Sequence, residues 1–287
     1  PASPAQTPLS LGARCRSGGE PMRIRDLRDL RCEDAPIFRD SNDDGISDDR
    51  VDVSLRDVVV TARYEDDFVI QDIDGGTFSG LWVFGERNPP GVDVVPGARV
   101  NVEGQLMEYY SLSELQLNSE GPGVEVTGQA PVPPAIYVAD PSRIADGGDL
   151  TEALESVLVE VRNVQVRNTA PDCPRDFDMF IVNGGLRIED EAGLIYEPSR
   201  GDLIESAIGV LHYSFEHQKM IPRSDADLRK VHCGGVPDKC DATECVVEIS
   251  APETGELVIT EIQDDPQGAD GPREFVELYN PGPGSIN

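Results

Sequence analysis

The chain has 287 residues, room for two compact domains and part of a third. Its 54 acidic side chains against 24 basic ones give a formal net charge of −30, which disfavours a polyphosphate partner, because neutralising phosphates takes clustered Lys and Arg. No apolar run reaches the ~18 residues that a membrane-crossing helix needs, so no such span is expected.

Residues 1–20 are rich in Pro, Ala, Ser and Gly and read as a disordered leader or the start of a fragment. The mixed-sign run 23–31 follows, with Arg23, Arg25, Arg28 and Arg31 offset by Asp26 and Asp29. It reads as an edge strand or turn that packs Ile24, Leu27 and Leu30 on a barrel. Between 51 and 117 come short alternating stretches: 51–64, 67–72, 80–84, 99–106 and 113–117. Gly and Pro punctuate them, at 74–76, 88–91 and 96–97. Short β-rich runs with such turns predict a small barrel or sandwich over 21–130.

The Pro-rich stretch 131–149 reads as a linker. A second block, 150–232, repeats the order of the first. Its β runs fall at 157–166, 179–182 and 203–211, and Gly209 sits mid-strand where the first copy has Gly104. Glycine inside a strand marks a bend or bulge of the kind small barrels need. Each copy then reaches an aromatic cluster, Tyr109-Tyr110 in one and Tyr213-Ser214-Phe215 in the other. A divergent internal duplication follows from this order. Residues 233–255 form a Cys-bearing linker. Beyond it, 256–262 and 274–281 are two alternating strands around a polar loop, too few to bury a core alone.

The residues Val58-Val59-Val60-Thr61-Ala62, Phe68-Val69-Ile70-Gln71-Asp72, Gly80-Leu81-Trp82-Val83-Phe84 and Pro96-Gly97-Ala98-Arg99-Val100 resemble an OB-fold domain. The resemblance is to the kind found beside nuclease and phosphatase domains in secreted bacterial proteins. Leu158-Val159-Glu160-Val161, Gly209-Val210-Leu211 and Ile221-Pro222-Arg223-Ser224-Asp225 resemble a second copy. Ile259-Thr260-Glu261-Ile262 and Glu274-Phe275-Val276-Glu277-Leu278-Tyr279-Asn280-Pro281 look like the opening of a lamin-tail domain. The resemblance implies an all-β chain: two OB-like five-stranded barrels in tandem and a truncated immunoglobulin-like sandwich over 256–287. It also implies units that accompany catalysis rather than perform it.

Three sets of residues could carry function. Asp40, Asn42, Asp44, Ile46 (through its carbonyl), Asp48 and Asp49 place oxygen donors at alternate positions, with Gly45 sixth for a sharp turn. That is the pattern a seven-coordinate calcium ion requires, although Val51 stands where an acid would close the loop; the alternative is a solvated acidic loop. Phe68, Trp82, Phe84, Tyr109 and Tyr110 offer a stacking face for single-stranded nucleic acid or another ligand, against the alternative that they fill the core and rim. Cys15, Cys32, Cys173, Cys233, Cys240 and Cys245 are disulfide candidates, Cys15 with Cys32 and a local staple among the last three being suggested by spacing. A zinc site of His232, Cys233, Cys240 and Cys245 is the competing reading. No H-E-x-x-H, G-x-S-x-G or P-loop motif occurs, and His212 and His217 read as rim residues. The expectation is a secreted or cell-surface binding or scaffolding module without catalysis, calcium-stabilised, with a protein or cell-surface partner. The alternative is the nucleic-acid-binding accessory of a secreted nuclease.

Overall fold

The computed structural model describes residues 15–17, 19–85, 91–118, 123–173, 175, 177–189, 193–231, 258–263 and 275–279. Two closed five-stranded barrels lie in tandem. The first is built from β1 (Val51–Tyr64), β2 (Asp67–Gln71), β3 (Gly80–Phe84), β4 (Ala98–Tyr109) and β5 (Leu112–Leu117) in the order β1-β2-β3-β5-β4, closed by β1–β4 pairing, with β6 (Val124–Gln129) added on β4. The second repeats that order with β8 (Leu158–Asn168), β9 (Met179–Val182), β10 (Arg187–Glu189), β12 (His217–Ile221) and β11 (Leu203–Ser214), flanked by β7 (Ile136–Tyr137) and β13 (Leu228–Val231). In each barrel the short third strand runs parallel to the fifth. The OB-like architecture and the duplication are therefore present in the fold.

Alternation decides which side chains fill each barrel. Val58, Val60, Phe68, Ile70, Leu81, Val83 and Leu115 point into the first, and Val159, Val161, Val164, Phe180, Val182 and Leu211 into the second. The long first strand of each barrel must bend to pair with two neighbours. Asp57 (φ 58°) and Asn163 (φ 53°) adopt the left-handed conformation there, as short polar side chains tolerate, and at Asp57 the β1–β4 register shifts. Gly104 and Gly209 meet the expected need. A Cβ on Gly104 would lie 2.4 Å from the Gln116 carbonyl oxygen, and one on Gly209 2.8 Å from Ile221 backbone.

Three departures from the sequence reading stand out. Residues 24–28 form a short helix, α1 (Ile24–Arg28), rather than a strand or turn. Ile24 and Leu27 are buried as expected, but Leu30 is 73% exposed. The Asp72 carboxylate holds the helix by accepting from the Ile24 and Arg25 backbone N–H groups at 2.9 and 3.2 Å. The stretch 131–149 is built into the second barrel: it supplies β7 and buries Val138, Ile144 and Ala145. The expected disulfide between Cys15 and Cys32 is present, and Cys173 is also disulfide-bonded. The zinc candidates His232, Cys233, Cys240 and Cys245 lie outside the described residues.

The barrels share a third apolar cluster. Ala62, Tyr64, Val69, Trp82 and Leu112 of the first meet Leu158, Val210 and Ile221 of the second. Polar contacts fix the register: Tyr64 Oη donates to the Ile221 carbonyl at 2.8 Å, and Gln71 Oε1 accepts from the Leu158 N–H at 3.0 Å. Arg28 Nη1 lies 2.8 Å from Glu155 Oε1, both fully inside the junction. Burial pushes the Glu155 carboxyl up to about 7, with Arg28 pulling against that rise. A separate unit follows, in which β14 (Val258–Gln263) and β15 (Phe275–Tyr279) pair antiparallel. The remainder of the expected lamin-tail region lies outside the described residues.

Candidate functional site

A cleft of about 780 Å³ opens at the junction of the two barrels. Its walls are equivalent hairpins. The β4–β5 turn places Tyr110 (φ 48°) and Ser111 (φ 64°) at its tip, and the β11–β12 turn places Phe215 (φ 51°) and Glu216 (φ 66°). Two successive left-handed residues suit the tight turns whose twist matches paired strands, so each tip projects an aromatic ring. Phe215 is 88% exposed.

The floor comes from the outer faces of β3 and β5. Leu81 and Val83 point into the barrel, so Trp82 and Phe84 point out. Leu115 and Leu117 point in, so Glu114 points out, paired in parallel register with Trp82. Trp82 stacks on Tyr64 at 5.4 Å with the rings 4° apart, and meets His212 of the second barrel at 4.3 Å with the rings tilted by 41°. Tyr109 meets Tyr110 edge-on at 4.8 Å. Burial lowers the His212 imidazole to about 3, with the Lys219 charge adding to the effect. His212 is therefore neutral here, a packing ring between the barrels rather than the rim residue expected.

Most polar groups of the cleft are already engaged. Asp67 accepts from Trp82 Nε1 at 3.0 Å and from the Gly85 N–H at 2.9 Å. Lys219 Nζ, buried, pairs with Glu189 at 2.9 Å and lies 5.4 Å from the Phe215 ring centroid. Glu114 differs: its side chain lines the cleft, and it has no hydrogen-bond or ion-pair partner among the described residues. Desolvation, with the nearby Asp67 charge, pushes its carboxyl up to about 7.

Of the predicted ligand face, Trp82, Phe84, Tyr109 and Tyr110 come together in this cleft. Phe68 does not; it is fully buried with Ile70 in the first barrel's core. Sequence reasoning missed Glu114, His212 and Phe215 as site residues. The matching positions of Tyr110-Ser111 and Phe215-Glu216 after equivalent strands were the available signal for Phe215.

The acidic loop lies beside the cleft. Gly45 (φ 85°) makes its sharp turn. Asp40 accepts from the Asp44 and Gly45 N–H groups at 3.3 and 2.8 Å. Asp44 accepts from the Ile46 N–H and from Asn42 Nδ2, both at 2.9 Å, and Asp48 from the Ser41 N–H at 2.9 Å. Asp49 turns away to pair with Arg39 at 3.2 Å. The donor types suit a hard cation. Among the described residues, no three acidic, His or Cys side chains form a metal-sized group. The loop is tied to the hairpin that carries the tyrosines: the Tyr110 N–H donates to the Gly45 carbonyl at 2.5 Å, and Ile46 bridges to Tyr109.

No family model matches the chain, and neither a curated protein nor a solved structure matches it significantly.

Proposed function

We propose that this chain is a non-enzymatic, extracellular binding module that holds a protein partner in the aromatic cleft between its two barrels. The observation that carries the reading is the cleft itself. Aromatic side chains from equivalent hairpins of both barrels converge on one preformed opening, and their backing is rigid. Trp82, clamped between Tyr64 and His212, cannot rearrange without opening the shared core. Preorganised aromatic surface of this kind favours binding because little ordering remains to be done. The Cys15–Cys32 disulfide supports an oxidising compartment, and no helix of the described residues is long and apolar enough to cross a membrane. The lamin-tail resemblance of 256–287 would add a further unit that accompanies catalysis rather than performs it.

Calcium belongs to the same reading. Asp40, Asn42, Asp44 and Asp48 would supply side-chain oxygens and Ile46 its carbonyl, fixing the loop against the Tyr109–Tyr110 hairpin. Calorimetric titration with calcium is expected to give saturable heat that Asp40→Ala abolishes. Absence of heat at extracellular calcium levels sinks this part of the proposal.

The binding reading is tested by random-peptide display on the immobilised full chain, counter-selected on the Phe215→Asp variant. Recovered binders are expected to lose affinity to Tyr110→Ala. A selection that yields no binder dependent on the cleft overturns the reading. The OB-type placement of Trp82 and Phe84 favours a second reading, single-stranded nucleic acid, which the carboxylates around them oppose. Fluorescence polarisation with labelled single-stranded DNA at physiological salt, with calcium and with chelator, separates the two. Saturable binding that weakens as salt rises would put nucleic acid first.

A further inference from the structure

Glu114 is 7% exposed, and its carboxylate has no partner among the described residues. A carboxylate largely shielded from water and without a donor or counter-charge is costly unless it holds its proton or something supplies the missing charge. Among the described residues, no group on the cleft walls pairs with it. Arg50, the nearest guanidinium to act on it, donates through Nη1 to Gln116 Oε1 at 2.9 Å and makes no ion pair with Glu114. The Lys219 charge is met by Glu189. Glu216, exposed at the lip, adds a further negative charge.

The surroundings narrow what could fill the cleft. Trp82, Phe84, Tyr109, Tyr110 and Phe215 line it, and aromatic faces attract cations electrostatically. The Lys219 ammonium over Phe215 already places a cation against this wall. The net charge of −30 draws cations toward the protein and repels anions. A neutral hydroxyl would satisfy a hydrogen bond at Glu114 but leave its charge unopposed. The group that meets the charge, the rings and the depth together is planar and cationic, on an apolar stem.

We propose that the cleft is a receptor for an arginine side chain of a partner protein, its guanidinium pairing with the Glu114 carboxylate and stacking against Phe84 and Tyr109, with Trp82 in the floor beneath it. The inference rests on the binding-module reading and names its partner's chemistry. A bound guanidinium favours the ionised carboxylate, so binding expels a proton from Glu114 and strengthens as pH rises through neutrality. Besides Arg50, the charged groups around Glu114 among the described residues are Asp67 on β2, Glu189 on β10, and Glu216 and Lys219 at the β11–β12 hairpin.

Trp82 is the chain's single tryptophan, so its fluorescence reports on the cleft directly. The experiment titrates the full chain with acetyl-Gly-Arg-Gly-amide and with the same peptide carrying citrulline, which keeps the shape and removes the charge. The arginine peptide is expected to change Trp82 fluorescence saturably, and the citrulline peptide to bind at least about tenfold more weakly. Glu114→Gln is expected to lose a similar factor, while Glu125→Gln, on exposed β6 outside the cleft, leaves affinity unchanged. Equal affinity for the two peptides, undiminished binding by Glu114→Gln, or no Trp82 response into the millimolar range overturns the inference. Display-selected peptides that need the cleft but contain no arginine also overturn it, while leaving the binding module standing. Failure to recover any cleft-dependent peptide removes both.

Discussion

Replacing Glu114 by Gln is expected to stabilise the free protein, and to do so only above acidic pH. In the folded chain the carboxyl sits at about 7, against an ordinary 4.5, because of burial and the Asp67 charge. Between those two values the folded protein keeps a proton that the unfolded chain has released. Stability therefore falls as pH climbs from about 4.5 to about 7, and the loss is complete above that. Carrying the carboxyl from 4.5 to about 7 corresponds to ~3 kcal/mol. Gln mimics the protonated shape and carries no charge at any pH. The variant should match the wild type near pH ~4 and exceed it by up to ~3 kcal/mol near pH ~8. Urea denaturation midpoints measured across that range read the difference directly, because the denaturant slope should not change. A gain that is the same at every pH, or a variant less stable than the wild type at pH ~8, refutes the account of Glu114 as an unpartnered buried acid.

Glu155 carries a similarly raised carboxyl, yet Glu155→Gln is expected to destabilise by ~2 kcal/mol, since it removes the buried partner 2.8 Å from Arg28 and leaves that guanidinium only the exposed Glu152 at 3.0 Å; denaturant unfolding at neutral pH checks the sign. Removing the Cys15–Cys32 link by a double Ser replacement releases a loop with a sequence separation of 17 and should cost ~3 kcal/mol, measured as a lowered melting temperature. Gly104→Ala forces a methyl to 2.4 Å from the Gln116 carbonyl oxygen and should cost ~2 kcal/mol or more. Gly128→Ala, which meets nothing within 4 Å, is its control and should stay within ~0.5 kcal/mol.

The long strands were legible because period-two alternation is strong when one face is buried and both ends are closed by turn residues. The ends of β1, β3 and β9 fall where the alternation begins and stops. β10 and β12 were not legible. The first has three residues, and the second reads His217-Gln218-Lys219, whose Lys219 is buried only because Glu189 meets its charge. The same reason hid α1. Arg25 and Arg28 look like solvated residues until Asp72 and Glu155, distant in sequence, pair with them. For the site, alternation correctly grouped Trp82 with Phe84. It could not say which parity of β2 faces outward, so Phe68 was placed on the face although it shares its side with core residue Ile70. Glu114 left no mark at all, because what distinguishes it is the absence of a neighbour that only the folded chain reveals.

The apolar seam between the barrels also bears on how the chain emerges from the ribosome. The first barrel's sequence ends with β6 at Gln129, while Val210 and Ile221, which cover Tyr64, Val69 and Trp82, come some ninety residues later. At ~5–20 residues per second, the finished first barrel waits ~5–20 s with a tryptophan, a tyrosine and the aliphatic side chains of Ala62, Val69 and Leu112 bare to solvent. During that interval two nascent chains on one message can join through the same surface. An acidic first half, each copy repelling the next, is the protection such a sequence carries through its own synthesis.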